Sequence, residues 1–388
     1  MPTDADFLRA IVADPDADAP RLAYADWRDE CGDAPRAEFV RAQCALAALP
    51  EAEREFHPLR EREQALETAH RGEWLRPLHD LLGPTSRAGW RWWPRRPRPG
   101  AVIDFHFRRG FVEILHLDAA TFVRHADRLT RATPLRGLTL DLVSGADPAG
   151  VWELLTDCPH LVGLTSLQVR THRLNPDEMR HFTESRHLTN LTSLGLASRG
   201  FDRDAVAVLA RSALLSRLGG LRIANLPNAG GRGFASQPCA DLLLREPRCR
   251  NLESLHVGGM PDVDGGLLQS LNASPPFQRL ARLTLADSPV GDAECDAFLH
   301  WLPPTLTRLD LRSLRLGDRS AASLARTPRL RQLRKLDLSG NQITDVGAMI
   351  LADSPDLLAS TRLDLSGNRL SRQVRNALRV RLGHHVLV

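Results

Sequence analysis

Leucines recur along this chain as Leu-x-x-Leu-x-Leu. Copies begin at Leu135, Leu164, Leu191, Leu218, Leu252, Leu280, Leu306 and Leu333. A final copy begins at Ser360, and a degenerate early one runs from Val112 to Leu117. From residue 135 on, the first positions lie 26 to 34 residues apart. Alternation places one face of a short strand inward. About 20 residues then remain before the next strand, room for a return helix. The amphipathic stretches Asp202–Arg211, Asp318–Arg326 and Thr344–Leu351 are examples. No such unit can bury its apolar face alone. Stacked units bury a continuous core and give a curved solenoid with its strands on the concave side.

Two copies carry a longer tail, Leu338-Ser-Gly-Asn341 and Leu365-Ser-Gly-Asn368. Over residues 105–388 the chain resembles leucine-rich repeats, of the ribonuclease-inhibitor-like class with long repeats. The resemblance implies that Asn341 and Asn368 bury their amides to satisfy backbone groups at the turn after the strand. A solenoid needs closed ends. Residues 101–117, broken by Arg108-Arg-Gly110, read as a hairpin over the first repeat. Ser371–Leu382 reads as a closing helix, with Leu370, Val374, Leu378 and Leu382 inward and Arg372, Arg375 and Arg379 outward. Because the hairpin already closes the first repeat, removal of residues 1–83 is expected to leave a folded solenoid.

Those first 83 residues read as a separate all-α domain. Thr3 with Asp6 suggests a capping box. Asp18-Ala-Pro20 opens a second helix that ends at Gly32. Asp33 caps a third, with Phe39, Ala42 and Leu46 inward. Leu59–Ala69 and Trp74–Leu82 supply two more. The stretch from Phe7 to Cys44, with Pro20-Arg-Leu-Ala-Tyr24-Ala-Asp26-Trp27 at its centre, resembles a bacterial repeat-companion domain found ahead of leucine-rich repeats. That resemblance implies architecture and no catalytic residue. Arg28 stands where an apolar residue is expected. The fold class expected is therefore α/β: a leucine-rich-repeat solenoid over 101–388, preceded by a helical domain over 1–83 and an Arg/Trp/Pro-rich linker over 84–100.

Charge is unevenly spread. Residues 1–83 carry a net −8 and residues 84–111 a net +6, within a formal total of +4. The linker interleaves Trp90, Trp92 and Trp93 with Arg95, Arg96 and Arg98. That is a stiff linker or an anion-binding segment. Lys335 is the only lysine, so the arginine content by itself is a composition bias. No apolar run is long enough to cross a membrane. The acidic N-terminus lacks the pattern of a signal peptide. The expectation is a cytosolic monomer.

Chemistry is scarce. The six cysteines form no CxxC pair and no zinc spacing. Asp14, Asp16 and Asp18 lack the Gly and Glu of a calcium loop and read as turn and cap residues. Asn228-Ala-Gly-Gly-Arg-Gly233 falls in the longest repeat and reads as a surface insertion. Motifs for nucleotide binding, metalloprotease or serine-hydrolase chemistry are absent. No enzyme activity, cofactor, metal or catalytic residue is expected.

The informative surface is the strand face. In each copy the residues on either side of the fourth position point away from the core. Early copies place mostly Ser, Thr and Gly there. Late ones place Arg282, Arg308, Lys335 and Arg362 in one column beside Asp310, Asp337 and Asp364 in another. Mixed signs oppose nucleic acid, which favours one sign along a groove. These seven residues are the expected contact surface of a non-enzymatic scaffold for a protein partner. The alternatives are an enzyme with a small site around Asp26, Trp27 and Glu38, or an RNA- or anion-binding protein using the linker and the Arg face of residues 369–381.

Overall fold

The structure is a computed structural model that describes residues 2–49, 54, 57–82, 104–142, 148–225, 242–243, 246–259, 268, 271, 275–288, 290–300 and 302–388. The linker at 84–100, the first residues of the expected hairpin at 101–103, and the Gly-rich stretch at 228–233 lie outside the described residues. The chain divides into two compact units, residues 1–170 with 185–190, and residues 171–184 with 191–388.

The described helices that open the first unit are α1 (Asp4–Ala13), α2 (Ala19–Glu30), α3 (Ala34–Ala48), α4 (Leu59–Trp74) and α5 (Arg76–Leu82). The caps fall where the sequence places them. The Asp6 carboxylate accepts from the backbone N–H and the hydroxyl of Thr3, which holds its pKa down to about 2. Asp33 accepts from the Arg36 N–H at 3.2 Å. Phe39, Ala42 and Leu46 are buried as expected. Arg28 is no misplaced apolar residue. Its guanidinium lies over the Tyr24 and Trp27 rings, 5.2 and 5.0 Å from their centroids, and donates to the Tyr24 hydroxyl and to Asp4.

A hairpin follows, β1 (Asp104–Arg108) against β2 (Phe111–Asp118), antiparallel. After α6 (Ala119–Ala132), β3 (Gly137–Asp141) pairs with β2 in parallel, and β4 (Ser166–Thr171) with β3. The hairpin turn is Arg109-Gly110, both at positive φ, +47° and +86°, the geometry of a tight two-residue loop. Only glycine fits at 110, because a Cβ there would lie 2.5 Å from Val40 Cγ2. The turn therefore docks directly on α3. The Gly110 N–H donates to Gln43 at 2.7 Å, and Gln43 donates to Glu63 of α4 at 2.8 Å.

The helices and the hairpin share one buried interior. Phe107 meets Phe39 and Trp74, and Phe111 meets Tyr24. Arg36 is buried among the Phe39, Trp74, Phe107 and Phe111 rings. Arg21 is 0% exposed and donates to Glu113 of β2 at 2.7 Å, to Pro15 O at 2.9 Å and to Arg109 O at 3.1 Å. Burial pushes the Glu113 carboxyl up, and Arg21 and Arg109 pull it back. The Asp14–Asp18 loop serves the same junction: Pro15 and Asp16 carbonyls accept from Arg109, and the Asp16 carboxylate accepts from Arg136.

In the second unit the strands follow chain order: β5 (Ser193–Ser198), β6 (Gly220–Asn225), β7 (Ser254–Gly258), β8 (Arg282–Ala286), β9 (Arg308–Asp310), β10 (Lys335–Asp337), β11 (Arg362–Asp364) and β12 (Val386–Leu387), each parallel to the next. Described return helices are α7 (Pro176–Glu184), α8 (Arg203–Arg211), α9 (Asp292–Leu299), α10 (Asp318–Arg326), α11 (Asp345–Ala352) and α12 (Arg372–Leu382). A further helix, Pro148–Thr156, belongs to the first unit. Register keeps like leucines together, so Leu283, Leu309, Leu336 and Leu363 form one row, each at most 1% exposed. This is an α/β leucine-rich-repeat solenoid.

Both turn asparagines bond the backbone as expected, Asn341 buried and Asn368 half-buried. Asn341 accepts from the Leu314 and Leu316 N–H groups at 2.9 and 3.1 Å and donates to the Leu311 and Leu338 carbonyls. Asn368 accepts from the Ile343 N–H and donates to the Leu338 and Leu365 carbonyls. Each amide therefore ties its own turn to the preceding repeat.

The shared interior reverses the expectation that residues 1–83 are dispensable. A fragment starting at residue 84 would bare Phe107, Phe111 and the buried Glu113. It should aggregate or lose its cooperative melt in circular dichroism. In the full chain, Arg21→Ala leaves the Glu113 carboxylate buried against Arg109 alone and should cost about 3 kcal/mol. A thermal midpoint equal to wild type would show that the junction does not depend on this pair.

Candidate functional site

The second unit carries a groove of about 1170 Å³ on the strand side, over β5 to β10. Its floor is made of residues whose neighbours on the same strands are core leucines. Ser193, Gly220, Ser254, Arg282, Arg308 and Lys335 succeed one another in register across the sheet. The sequence column is thus real. Lys335 continues to Arg362 on β11.

Of the seven expected residues, Arg282, Arg308, Asp310 and Lys335 line the groove, whereas Asp337, Arg362 and Asp364 lie outside its lining. Asp337 also departs from the expected solvent orientation. It is 7% exposed, and its carboxylate accepts from the Ser339 N–H at 3.0 Å and the Ser339 hydroxyl at 2.7 Å. Asp310 and Asp364 do the same, accepting from the N–H of Arg312 and Ser366. This bond two residues on turns the chain out of the ladder. The three strands that carry it, β9, β10 and β11, have three residues each, whereas β5 to β8, with Gly195, Arg222, His256 and Thr284 there, have five or six. The aspartates are strand terminators first. Burial pushes the Asp310 carboxyl up and Asp337 adds to that; Arg312, in ion contact at 3.1 Å, opposes it.

Three arginines in the groove escape a reading confined to the late columns. Arg222 stands beside the fourth position of its copy, in the early stretch of the column where the neighbours are mostly small. Arg217 and Arg279 stand immediately before the first leucine of their copies, Leu218 and Leu280, and both end a short 3₁₀ turn that delivers the chain to the strand. The usable signal was the position before the first leucine. His256 sits among them on β7. Burial drives its pKa down to about 3, and Arg222 and Arg312 push the same way.

The other candidate surfaces are occupied locally. Asp26 pairs with Arg41 at 2.7 Å and Glu38 with Arg62 at 2.6 Å, while Trp27 packs on Phe7 and Tyr24. On α12, Arg375 donates to the Leu370 carbonyl and Arg379 to the Val388 carbonyl. Five cysteines are described, all free thiols. Burial pushes Cys44 up to about 11 and Cys249 and Cys295 up to about 12, far from nucleophilic at neutral pH. Among the described residues no three His, Cys, Asp or Glu side chains cluster as a metal site, and no helix is long and apolar enough to cross a membrane.

His256 sets a pH dependence. Its folded pKa, about 3, lies below the unfolded value of 6.5. The unfolded chain therefore takes up the proton first, and stability present above pH 6.5 is lost as pH falls toward 3. Between pH 6.5 and 5 the loss attributable to this group is about 2 kcal/mol. His256→Asn should flatten that part of a pH series of urea midpoints. An unchanged slope would show that His256 is not shielded from protonation.

Residues 330–352 match the family model described as Leucine Rich repeat. Comparison with curated proteins finds no match. Similar solved structures include a Bacteroides fragilis protein, at 15% identity over 66% of this chain and 66% of that chain with a TM-score of 0.40. An internalin from Listeria monocytogenes is 17% identical over 66% of each chain, TM-score 0.35. The Rad7 and Elc1 complex of yeast matches at 17% identity over 83% of this chain and 88% of that one, TM-score 0.38. The chain thus spans just under two thirds of the length of the first two. With the repeat matched at 330–352 and the same leucine unit recurring strand after strand, the chain is a leucine-rich-repeat protein.

Proposed function

We propose that this chain is a non-enzymatic scaffold that binds a partner protein on the strand face of its repeats. The observation that carries the reading is the groove over β5 to β10. Its side chains rise from a hydrogen-bonded parallel ladder, so little backbone order remains to be lost on binding. Arg282, Arg308 and Lys335 are the inner anchors, and Arg362 continues them on β11. Arginine is enriched among the residues that dominate interface energies. Asp310, Asp337 and Asp364 shape the strand ends beside them.

In the same reading residues 1–83 are the N-terminal cap of the repeats, of the repeat-companion kind, residues 84–100 are a linker, and residues 101–388 are the solenoid proper. The repeats are of the ribonuclease-inhibitor-like class, and the protein is a bacterial, cytosolic monomer. The five described cysteines, all free thiols, suit a reducing compartment.

The test is affinity capture with the full chain from its native cytosol, followed by titration of the captured partner against Arg308→Glu with Arg362→Glu. Each anchor should contribute about 1–2 kcal/mol, so each reversal should weaken binding about five- to thirty-fold with the thermal midpoint unchanged. A partner that binds the double variant as tightly as wild type would move the interface off this face.

A further inference from the structure

The groove has a sign. Its lining brings together six cations, Arg217, Arg222, Arg279, Arg282, Arg308 and Lys335, against two acids, Glu253 and Asp310. Arg217, Arg222, Arg279 and Arg282 are exposed, and Arg308 and Lys335 are half-buried. Asp310 is itself tied to Arg312 and to a backbone N–H, so little of its charge is left to offset the cations. Burial is the main cause of the low pKa of His256, and Arg222 and Arg312 act against its protonation as well. A cleft lined by one sign with low-dielectric walls focuses the field. Arg282, Arg308 and Lys335 also succeed one another on β8, β9 and β10, about 4.8 Å apart, a spacing that favours a ligand with several anionic groups over a single one.

The rest of the lining chooses between polyanions. Among the described residues it holds no Phe, Tyr or Trp, so the bases of a single-stranded nucleic acid would find little stacking platform beyond the half-buried His256. Glu253, exposed among the cations, interrupts the positive field, which disfavours an unbroken run of phosphates more than an interrupted acidic peptide. Between the cations stand short hydrogen-bonding groups, Ser193, Asn251, Ser254, Thr284 and Thr305, suited to peptide N–H and C=O groups. The volume, about 1170 Å³, lies beyond the ≈ 300–1,000 Å³ of ordinary small-molecule pockets.

We infer that the groove over β5 to β10 seats an acidic segment, rich in Asp or Glu, of the partner protein. The inference rests on the scaffold reading and adds the chemistry of the partner to it. It also moves the centre of binding toward the amino-terminal side of the expected residues, from β10 and β11 to β6 through β9.

The probe is a fluorescent oligoglutamate peptide, titrated by anisotropy with the full chain at physiological salt. A single-stranded oligonucleotide of equal charge runs in parallel. Saturable peptide binding is expected, tighter than that of the oligonucleotide. Arg222→Glu with Arg282→Glu should weaken it about tenfold or more. Arg372→Glu with Arg379→Glu on α12, the same change in net charge, should alter it by less than about twofold. The neutral pair Arg222→Gln with Arg282→Gln, which keeps most of the side-chain volume, should fall in between and guards against loss of fold. Equal losses from the groove and α12 pairs, tighter binding of the oligonucleotide, or no saturable peptide binding would each overturn the inference. If the peptide fails while Arg308→Glu with Arg362→Glu still releases a captured partner, the acidic chemistry falls and the scaffold stands.

Discussion

No repeat in this chain can bury its own leucines, and everything else in the structure answers to that constraint. A three-residue strand such as Leu309 with its two neighbours has nothing to pack on until Leu283 and Leu336 lie beside it in register. Burial is obtained only by stacking, at about 25 cal/mol per Å² of apolar surface removed from water. Stability then accumulates through nearest neighbours. The price is two open ends. At the carboxyl end β12 lays Val386 beside Leu363, and Leu378 and Leu382 of α12 are buried. In the first unit the answer is heavier: a hairpin whose outer surface is itself covered by helices, with Arg21 and Glu113 sealed between them.

Stacking also strands polar groups, because each turn between strand and helix carries backbone donors and acceptors into the interior. The chain meets this with short side chains at fixed offsets. Asn341 and Asn368 reach into the preceding repeat and satisfy groups on both sides of the turn. The aspartates of Leu-Asp-Leu reach forward two residues and stop the strand. The residue after the fourth position of the copy therefore decides strand length. Aspartate ends the strand at three residues, and other residues let it run to five or six.

Much of this was legible in the residues. Leucine spacing located every strand from β3 to β11, because a row of buried side chains admits no slip without turning its leucines to solvent. The asparagine turns, the helix caps and the hairpin turn at Arg109-Gly110 follow from equally local chemistry. Long-range pairing was not legible. Nothing in the local pattern around Arg21 or Arg36 shows that these arginines lie buried on a hairpin some 70 to 90 residues on. A charge in a helix reads as a solvated face until its partner is known. The expectation of a dispensable first domain came from that gap.

The strand face shows the same limit on electrostatics. Counted by column, the cations and aspartates of the late repeats nearly cancel, and the surface looks neutral. Folding changes the weights. Asp337 is buried and bonded to Ser339, Asp310 is bonded to Arg312, and Asp337 and Asp364 fall outside the groove. Arg217 and Arg279, outside both columns, are carried in by the turns before their strands. Carboxylates engaged in ending strands contribute less to the field a ligand meets than exposed guanidinium groups do. A sequence with nearly balanced columns thus gives a groove with more cations than acids, because the fold ties the column aspartates into strand ends and brings in arginines from outside the two columns.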